Sequence, residues 1–243
     1  MDNVSAARTI IRSLDLTSLN HNDTPESISE LCKKAATPYG NVAAICIYPE
    51  FIHHALKEIP EGIKIATVVN FPEGQTDIKN TEKEIKKALK SGADEIDAVL
   101  PYKHLLSGDE DFCRSFLRMC REACPNNALK IIIESGELKS TILIKKASLL
   151  CAEADVDFIK TSTGKTKISA TPEAANAILE AIRASGKNIG FKASGGIKTT
   201  EDAKKYLTLA NVIIGSSWIN QQHFRIGASS VLKDLIKTIK QGY

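Results

Sequence analysis

Apolar positions along this chain follow two alternating patterns. Short runs, nearly continuous in apolar character and rich in Val and Ile, recur at residues 14–16, 42–48, 64–69, 95–99, 130–133, 158–160, 189–192 and 212–215. Strands buried on both faces of a parallel sheet have this composition. Between them lie longer amphipathic stretches with recognisable ends. Thr24 and Pro25 open one that reaches Ala36, and Asp77 opens another over 78–91 that Gly92 closes. Residues 109–123 and 140–154 continue the series. Thr171-Pro172-Glu173 starts a helix ending near Gly186, Thr200-Glu201-Asp202 starts the next, and Ser229 or Ser230 starts the last, through Ile239. Residues 49–56 carry the weakest helical periodicity. Eight strand–helix repeats predict an α/β fold, a single-domain TIM (β/α)8 barrel spanning 1–243. A doubly wound open sheet normally places a glycine-rich turn after its first strand. Here that strand leads into Thr17-Ser18-Leu19-Asn20, with no glycine.

Composition narrows the function classes. With 32 Lys+Arg against 29 Asp+Glu the net charge is +3, too balanced for a nucleic-acid or membrane-surface protein, so any anion site must be local. No apolar run reaches the roughly 18 residues of a membrane span, and residues 1–12 do not read as a signal peptide. A cytoplasmic protein with reduced thiols is expected. Cys32, Cys46, Cys113, Cys120, Cys124 and Cys151 form no CxxC pair and read as small apolar packing residues. His21, His53, His54, His104 and His223 show no ligand spacing and read as surface residues, so neither a metal nor a cofactor is expected.

In a barrel the chemistry sits at the C-terminal ends of the strands. The sixth strand ends in Lys160 and runs into Thr161-Ser162-Thr163-Gly164-Lys165. The seventh ends in Lys192 and runs into Ala193-Ser194-Gly195-Gly196. Adjacent strands lie about 4.8 Å apart, so two lysines at matched depth bring their ammonium groups together. A free lysine near pKa 10.4 is neutral about once in 2,500 at pH 7, and bringing it to about 7 costs about 4.6 kcal/mol. Desolvation and a neighbouring cation both act in that direction. A neutral lysine condenses with a carbonyl to an imine, an electron sink that permits C–C cleavage. The alternative is two strand-end lysines with packed stems and solvated charges.

Strand four, Glu95-Ile96-Asp97-Ala98-Val99, puts Glu95 and Asp97 on one face. An inward carboxylate needs a cation, and Asp97 beside Lys160 and Lys192 has one and can relay protons. Asp15, just before Thr17, suits substrate hydroxyls or a turn. Two glycine–serine turns suit a phosphate: Ser194-Gly195-Gly196 and Gly227-Ala228-Ser229-Ser230, the second at a helix start, with Gly164-Lys165 adding a charge. Two other functions compete. A phosphosugar isomerase or epimerase would use Asp97 and a lysine without a covalent adduct. A non-catalytic phosphosugar-binding protein would need the turns but not the two lysines.

These segments resemble the class I deoxyribose-phosphate aldolases over nearly the whole length. The resemblance is carried by Leu14-Asp15-Leu16-Thr17, Ala43-Ala44-Ile45-Cys46-Ile47-Tyr48-Pro49, Asn70-Phe71-Pro72 and Gly92-Ala93-Asp94-Glu95-Ile96-Asp97. It continues through residues 134–138, 158–165, 191–196 and 227–230. It implies metal-independent, reversible cleavage of 2-deoxy-D-ribose 5-phosphate to D-glyceraldehyde 3-phosphate and acetaldehyde. Lys160 matches the family's imine-forming lysine, and Lys192 and Asp97 its proton-transfer pair. Gly164, Lys165, Gly195, Gly196, Ser229 and Ser230 fall where the family holds phosphate. Asp15, Thr17, Cys46 and Thr163 fall in the substrate pocket. Some members end in a tail whose terminal tyrosine reaches the site. Tyr243 is therefore a candidate accessory residue, on a tail that looks shorter than theirs. The resemblance also suggests a small homo-oligomer, with a dimer expected.

Overall fold

The computed structural model describes residues 1–242, so the Tyr243 assignment lies outside the described residues. Eight parallel strands close into a barrel: β1 (Leu14–Thr17), β2 (Ala44–Ile47), β3 (Lys64–Val69), β4 (Glu95–Val99), β5 (Ala128–Ile132), β6 (Phe158–Lys160), β7 (Gly190–Ser194) and β8 (Phe224–Ala228). Each strand pairs with its sequence neighbours and β8 pairs with β1, which is the (β/α)8 arrangement. Strand alternation divides the residues cleanly. Ile45, Ile65, Val69, Ile96, Ile131, Ile159, Phe191 and Ile226 face out and join the helices in one large core. Ala44, Cys46, Ala66 and Val68 face in and form a small cluster of their own with Leu19. Most of the charged residues buried in the protein share this interior: Asp15, Glu95, Asp97, Lys130, Lys160, Lys192 and Arg225.

The helices begin where side-chain oxygens can cap them. Asp77 accepts from the Asn80 N–H, Asp109 from Phe112 and Thr171 from Ala174. Thr199, one residue before the expected start, forms a capping box with Asp202 at the head of Thr200–Ile213. That helix corrects the eighth strand. Residues 212–215 are not a strand: Val212 and Ile213 are the last residues of Thr200–Ile213, and Val212 is 74% exposed. The real strand, Phe224–Ala228, was hidden because its inward positions are Arg225 and Gly227, which break the apolar run. The chain also opens with a helix that periodicity did not announce, Asn3–Arg12. Asp2 caps it, and it buries Ala6, Ala7, Ile10 and Ile11 beside Thr200–Ile213 and Val231–Gln241.

Residues 49–56 form a 3-10 turn, Pro49–Phe51, followed by the short helix Ile52–Ala55. All six cysteines are buried and free. The histidines depart in part from a surface reading. His21 and His53 are exposed, but His54 is partly buried with its ring nitrogen 2.8 Å from Ser29, His104 stacks on Phe112, and His223 stacks on Trp218. Among the described residues no helix is long and apolar enough to cross a membrane.

One glycine inside the barrel has no room for a side chain. A Cβ on Gly190, at the head of β7, would press into the Phe158 ring and stand 2.9 Å from the His223 carbonyl oxygen. Gly190→Ala is expected to lower stability by about 1–3 kcal/mol, as overpacked cores do. Denaturant unfolding measures it, and an unchanged midpoint would count against this packing.

Candidate active site

Strand register brings seven ionisable side chains together inside the barrel. Lys160 and Lys192 are paired neighbours across β6 and β7, and Asp97 and Lys130 across β4 and β5. Arg225 on β8 sits beside Lys192, and Asp15 on β1 beside Gly227. These six and Glu95, the seventh, are all buried. Asp97 is the centre. One of its oxygens lies 2.8 Å from Lys130 Nζ, and the other lies 2.7 Å from both Lys160 Nζ and Lys192 Nζ. Lys192 also pairs with Asp15. Below them, Lys130 reaches Glu95 at 2.6 Å, and Arg225 ties Asp15 at 2.6 Å to Glu95 at 2.8 Å.

The cluster holds three carboxylates (Asp15, Glu95, Asp97) and four cations (Lys130, Lys160, Lys192, Arg225). An unbalanced charge in a low-dielectric interior is expensive, so one cation is pressed to give up its proton. Lys160 is that group. Burial pushes its amine below the ordinary lysine value and the Lys192 ammonium pushes the same way, while Asp97 opposes them. Burial also disfavours the charged forms of Lys130 and Lys192, but their carboxylates outweigh it and raise both. For Asp97, burial is outweighed by Lys130, Lys160 and Lys192, which hold the carboxyl well below its usual value. Lys192 has two carboxylates within reach, whereas Lys160 has only a share of Asp97. The arrangement can therefore present a neutral amine beside an ammonium and a carboxylate.

A cavity of about 230 Å³ opens at the C-terminal end of the barrel. Its walls bring together Thr17 from β1, Thr163, Gly164 and Lys165 after β6, Gly195 and Gly196 after β7, and Ser229 and Ser230 after β8. Gly164 and Gly195 have φ of 78° and 89°, left-handed values that suit glycine. A Cβ on Gly195 would also strike Ser169 at 2.6 Å. Ser230 precedes the helix Val231–Gln241, so the positive end of an eleven-residue helix points at the cavity. Lys165 Nζ donates to the Leu19 carbonyl at 2.6 Å, which pins its ammonium at the rim. The cavity adjoins the ionic cluster: a Cβ on the wall residue Gly227 would lie 3.0 Å from Lys192 Cε.

Asp15 and Cys46, expected from the sequence as substrate contacts, are not part of this cavity's wall. Asp15 is fully buried, with one oxygen against Lys192 and the other against Arg225. Cys46 is fully buried in the inward apolar cluster, where burial raises its thiol and makes it a poor nucleophile. Lys130 and Arg225 were missed as cluster members. Their signal was present as one charged residue in an otherwise apolar run, Leu129-Lys130-Ile131 and Phe224-Arg225-Ile226. Among the described residues no group of three His, Cys, Asp or Glu side chains is placed to hold a metal.

A family model of the DeoC/LacD family aldolases matches residues 9–236 of the chain. The chain belongs to that family. Solved structures similar to this DeoC/LacD family aldolase follow the same barrel. A protein of Toxoplasma gondii ME49, provisionally described as a deoxyribose-phosphate aldolase, is 25% identical with a TM-score of 0.90, over 98% of this chain and 97% of its own. One from Coccidioides immitis, described in the same provisional terms, is 28% identical with a TM-score of 0.85, over 96% and 86%. The tetrameric deoxyribose phosphate aldolase of Aeropyrum pernix is 22% identical with a TM-score of 0.77, over 100% and 98%, a likeness of fold alone.

Proposed function

We propose that this aldolase reversibly cleaves 2-deoxy-D-ribose 5-phosphate to D-glyceraldehyde 3-phosphate and acetaldehyde through an imine on Lys160. The observation that carries the reading is the count of charges in the barrel: Lys160 is the one cation without a carboxylate of its own, and the cluster it belongs to adjoins, through Lys192, a cavity suited to phosphate. Its neutral amine adds to the aldehyde carbon of the open-chain sugar, and the carbonyl oxygen leaves as water after taking protons. The resulting iminium carries the charge the lysine lacked, directly against Asp97, which stabilises it. A base then takes the C3 hydroxyl proton. That oxygen becomes a carbonyl, the C2–C3 bond breaks, and its electron pair moves to the iminium nitrogen. Glyceraldehyde 3-phosphate departs and an enamine remains. Protonation at the enamine carbon and hydrolysis release acetaldehyde and restore the amine. Asp97, one oxygen of which accepts from both Lys160 Nζ and Lys192 Nζ, and Lys192 itself supply and accept these protons. Thr17, Thr163 and the glycine–serine turns receive the sugar hydroxyls and phosphate, with Cys46 packing behind.

No metal or cofactor enters this sequence of steps. The reading further includes a homo-oligomer, a dimer by the sequence expectation, where the Aeropyrum pernix enzyme is described as a tetramer. A reducing cytoplasmic setting suits six free, buried thiols.

Incubation with acetaldehyde and borohydride, followed by intact mass and peptide mapping, tests the mechanism. One ethyl group on Lys160 is expected, because only a neutral amine forms the imine that borohydride reduces. Isomerase, epimerase and binding-protein readings all predict no such adduct. Labelling confined to exposed lysines such as Lys33, whose side chain is 70% exposed, would sink the aldolase mechanism.

A further inference from the structure

Glu134 is a fully buried carboxylate that the mechanism above does not use. It follows β5 in a left-handed conformation, φ 50°, and among the described residues it forms no ion pair. Its partners instead lie 29 and 32 residues on, in the loop after β6. One oxygen accepts the Thr163 hydroxyl at 2.5 Å, the Thr163 N–H lies 3.3 Å from that oxygen, and the Thr166 hydroxyl lies 3.3 Å from the other. Burial raises the Glu134 carboxyl, and the Thr163 bonds work against that. Keeping such a group inside a protein is costly unless its hydrogen bonds are needed.

The Thr163 hydroxyl is also fixed from its other side. Its oxygen accepts the Lys165 N–H at 3.0 Å, so the only hydroxyl proton goes to Glu134 and the backbone of Lys165 is tied to the same atom. Thr163, Gly164 and Lys165 form one wall of the phosphate cavity. Packing holds the three loops in one register. A Cβ on Gly136 would overlap the Ile168 carbonyl oxygen, and a Cβ on Gly195 would approach Gly164 Cα to 3.1 Å. The loops after β5, β6 and β7 are therefore interlocked, with Glu134 tying the first of them to the Thr163 turn and the Ser135 N–H bonded beside it to the Thr161 carbonyl at 2.8 Å.

We propose that Glu134 is a positioning residue: it sets the shape of the phosphate cradle by fixing Thr163 and, through it, the Gly164–Lys165 turn. The inference rests on the phosphate reading of the cavity. Glu134 lies outside the cavity wall and its side chain bonds to Thr163 and Thr166, not to Lys160, Lys192 or Asp97, so its loss should appear in phosphate recognition ahead of chemistry.

The test compares Glu134→Ala, Glu134→Asp and Glu134→Gln on 2-deoxy-D-ribose 5-phosphate, on unphosphorylated 2-deoxy-D-ribose, and with inorganic phosphate as competitive inhibitor. Glu134→Ala should raise KM for the phosphorylated substrate and the phosphate inhibition constant roughly tenfold or more, the usual worth of hydrogen bonds to a charged group. Its kcat should stay within about threefold, and kinetics on unphosphorylated sugar should move little. Glu134→Gln keeps one acceptor oxygen for Thr163 and should recover most of the lost affinity. Glu134→Asp, one methylene shorter, should fall between and serves as the test if the alanine variant does not fold. An equal loss in kcat on both sugars, or an unchanged KM, overturns the proposal. If the wild type itself shows no preference for the phosphorylated sugar and no inhibition by phosphate, the phosphate reading has failed instead.

Discussion

Lys160→Leu is expected to lose at least about four orders of magnitude in kcat and yet to melt no lower than the wild type. The first half follows from chemistry, since leucine offers no atom that can form an imine. The second half follows from the sign of the Lys160 shift. Its folded pKa lies below its unfolded one, so between the two values the unfolded chain binds a proton that the folded chain gives up, and the cost is fully present below the folded value. Such a group costs stability at neutral pH, and the cost disappears only as pH rises past the ordinary lysine value. Leucine removes the cost and leaves Asp97 with Lys130 at 2.8 Å and Lys192 at 2.7 Å. Lys130→Leu is the informative contrast. It takes from Asp97 one of its three ammonium partners and leaves Glu95 with Arg225 alone, so it should cost up to about 3–5 kcal/mol, the penalty for breaking a buried ion pair from one side. Activity assays with thermal melts of both variants at pH 7 measure the difference. If Lys160→Leu melts as low as Lys130→Leu, Lys160 is charged and paired in the folded protein, and the charge count is wrong.

The parts of this site legible in the sequence are those whose signal is local. Lys160 and Lys192 each close an apolar run and each precede a Ser/Gly turn, so register alone pairs them, as it does across β6 and β7. Asp97 was legible because strand alternation turned a carboxylate inward, where only a cation could stabilise it. What stayed hidden depends on contacts between distant residues. Arg225 meets Glu95 across 130 residues of chain, and its own strand was obscured by the charge and glycine that make it useful. The valine and isoleucines before Gly215 looked like that strand because β-branched residues favour sheets, but the Thr199 cap had already committed them to a helix. Glu134 escaped for a further reason. Its backbone turn is left-handed, so no helical or strand period carried its direction, and its partner Thr163 belongs to another loop.

Lys192→Leu should shift the acid limb of the pH–rate profile upward by at least about one pH unit, with turnover at neutral pH falling steeply and partly returning in alkali. Removing Lys192 leaves three carboxylates facing three cations: Lys130, Arg225 and Lys160. Lys160 then becomes a matched charge. It also loses the neighbouring ammonium that lowered its pKa, while Asp97 still draws it to the protonated form. A protonated amine has no electron pair to give, and recovery requires enough hydroxide to remove its proton. The barrel should survive the change, because Asp15 keeps Arg225 at 2.6 Å and has Lys130 at 3.9 Å. Lys192→Arg supplies the control. It retains a cation at the same place and should keep the acid limb near the wild-type position even if proton transfer suffers. A role for Lys192 confined to proton donation predicts the opposite pattern, a drop in rate equal at every pH. The two variants therefore separate lowering of the Lys160 pKa from proton delivery. An unshifted acid limb in Lys192→Leu would mean that desolvation alone keeps Lys160 neutral.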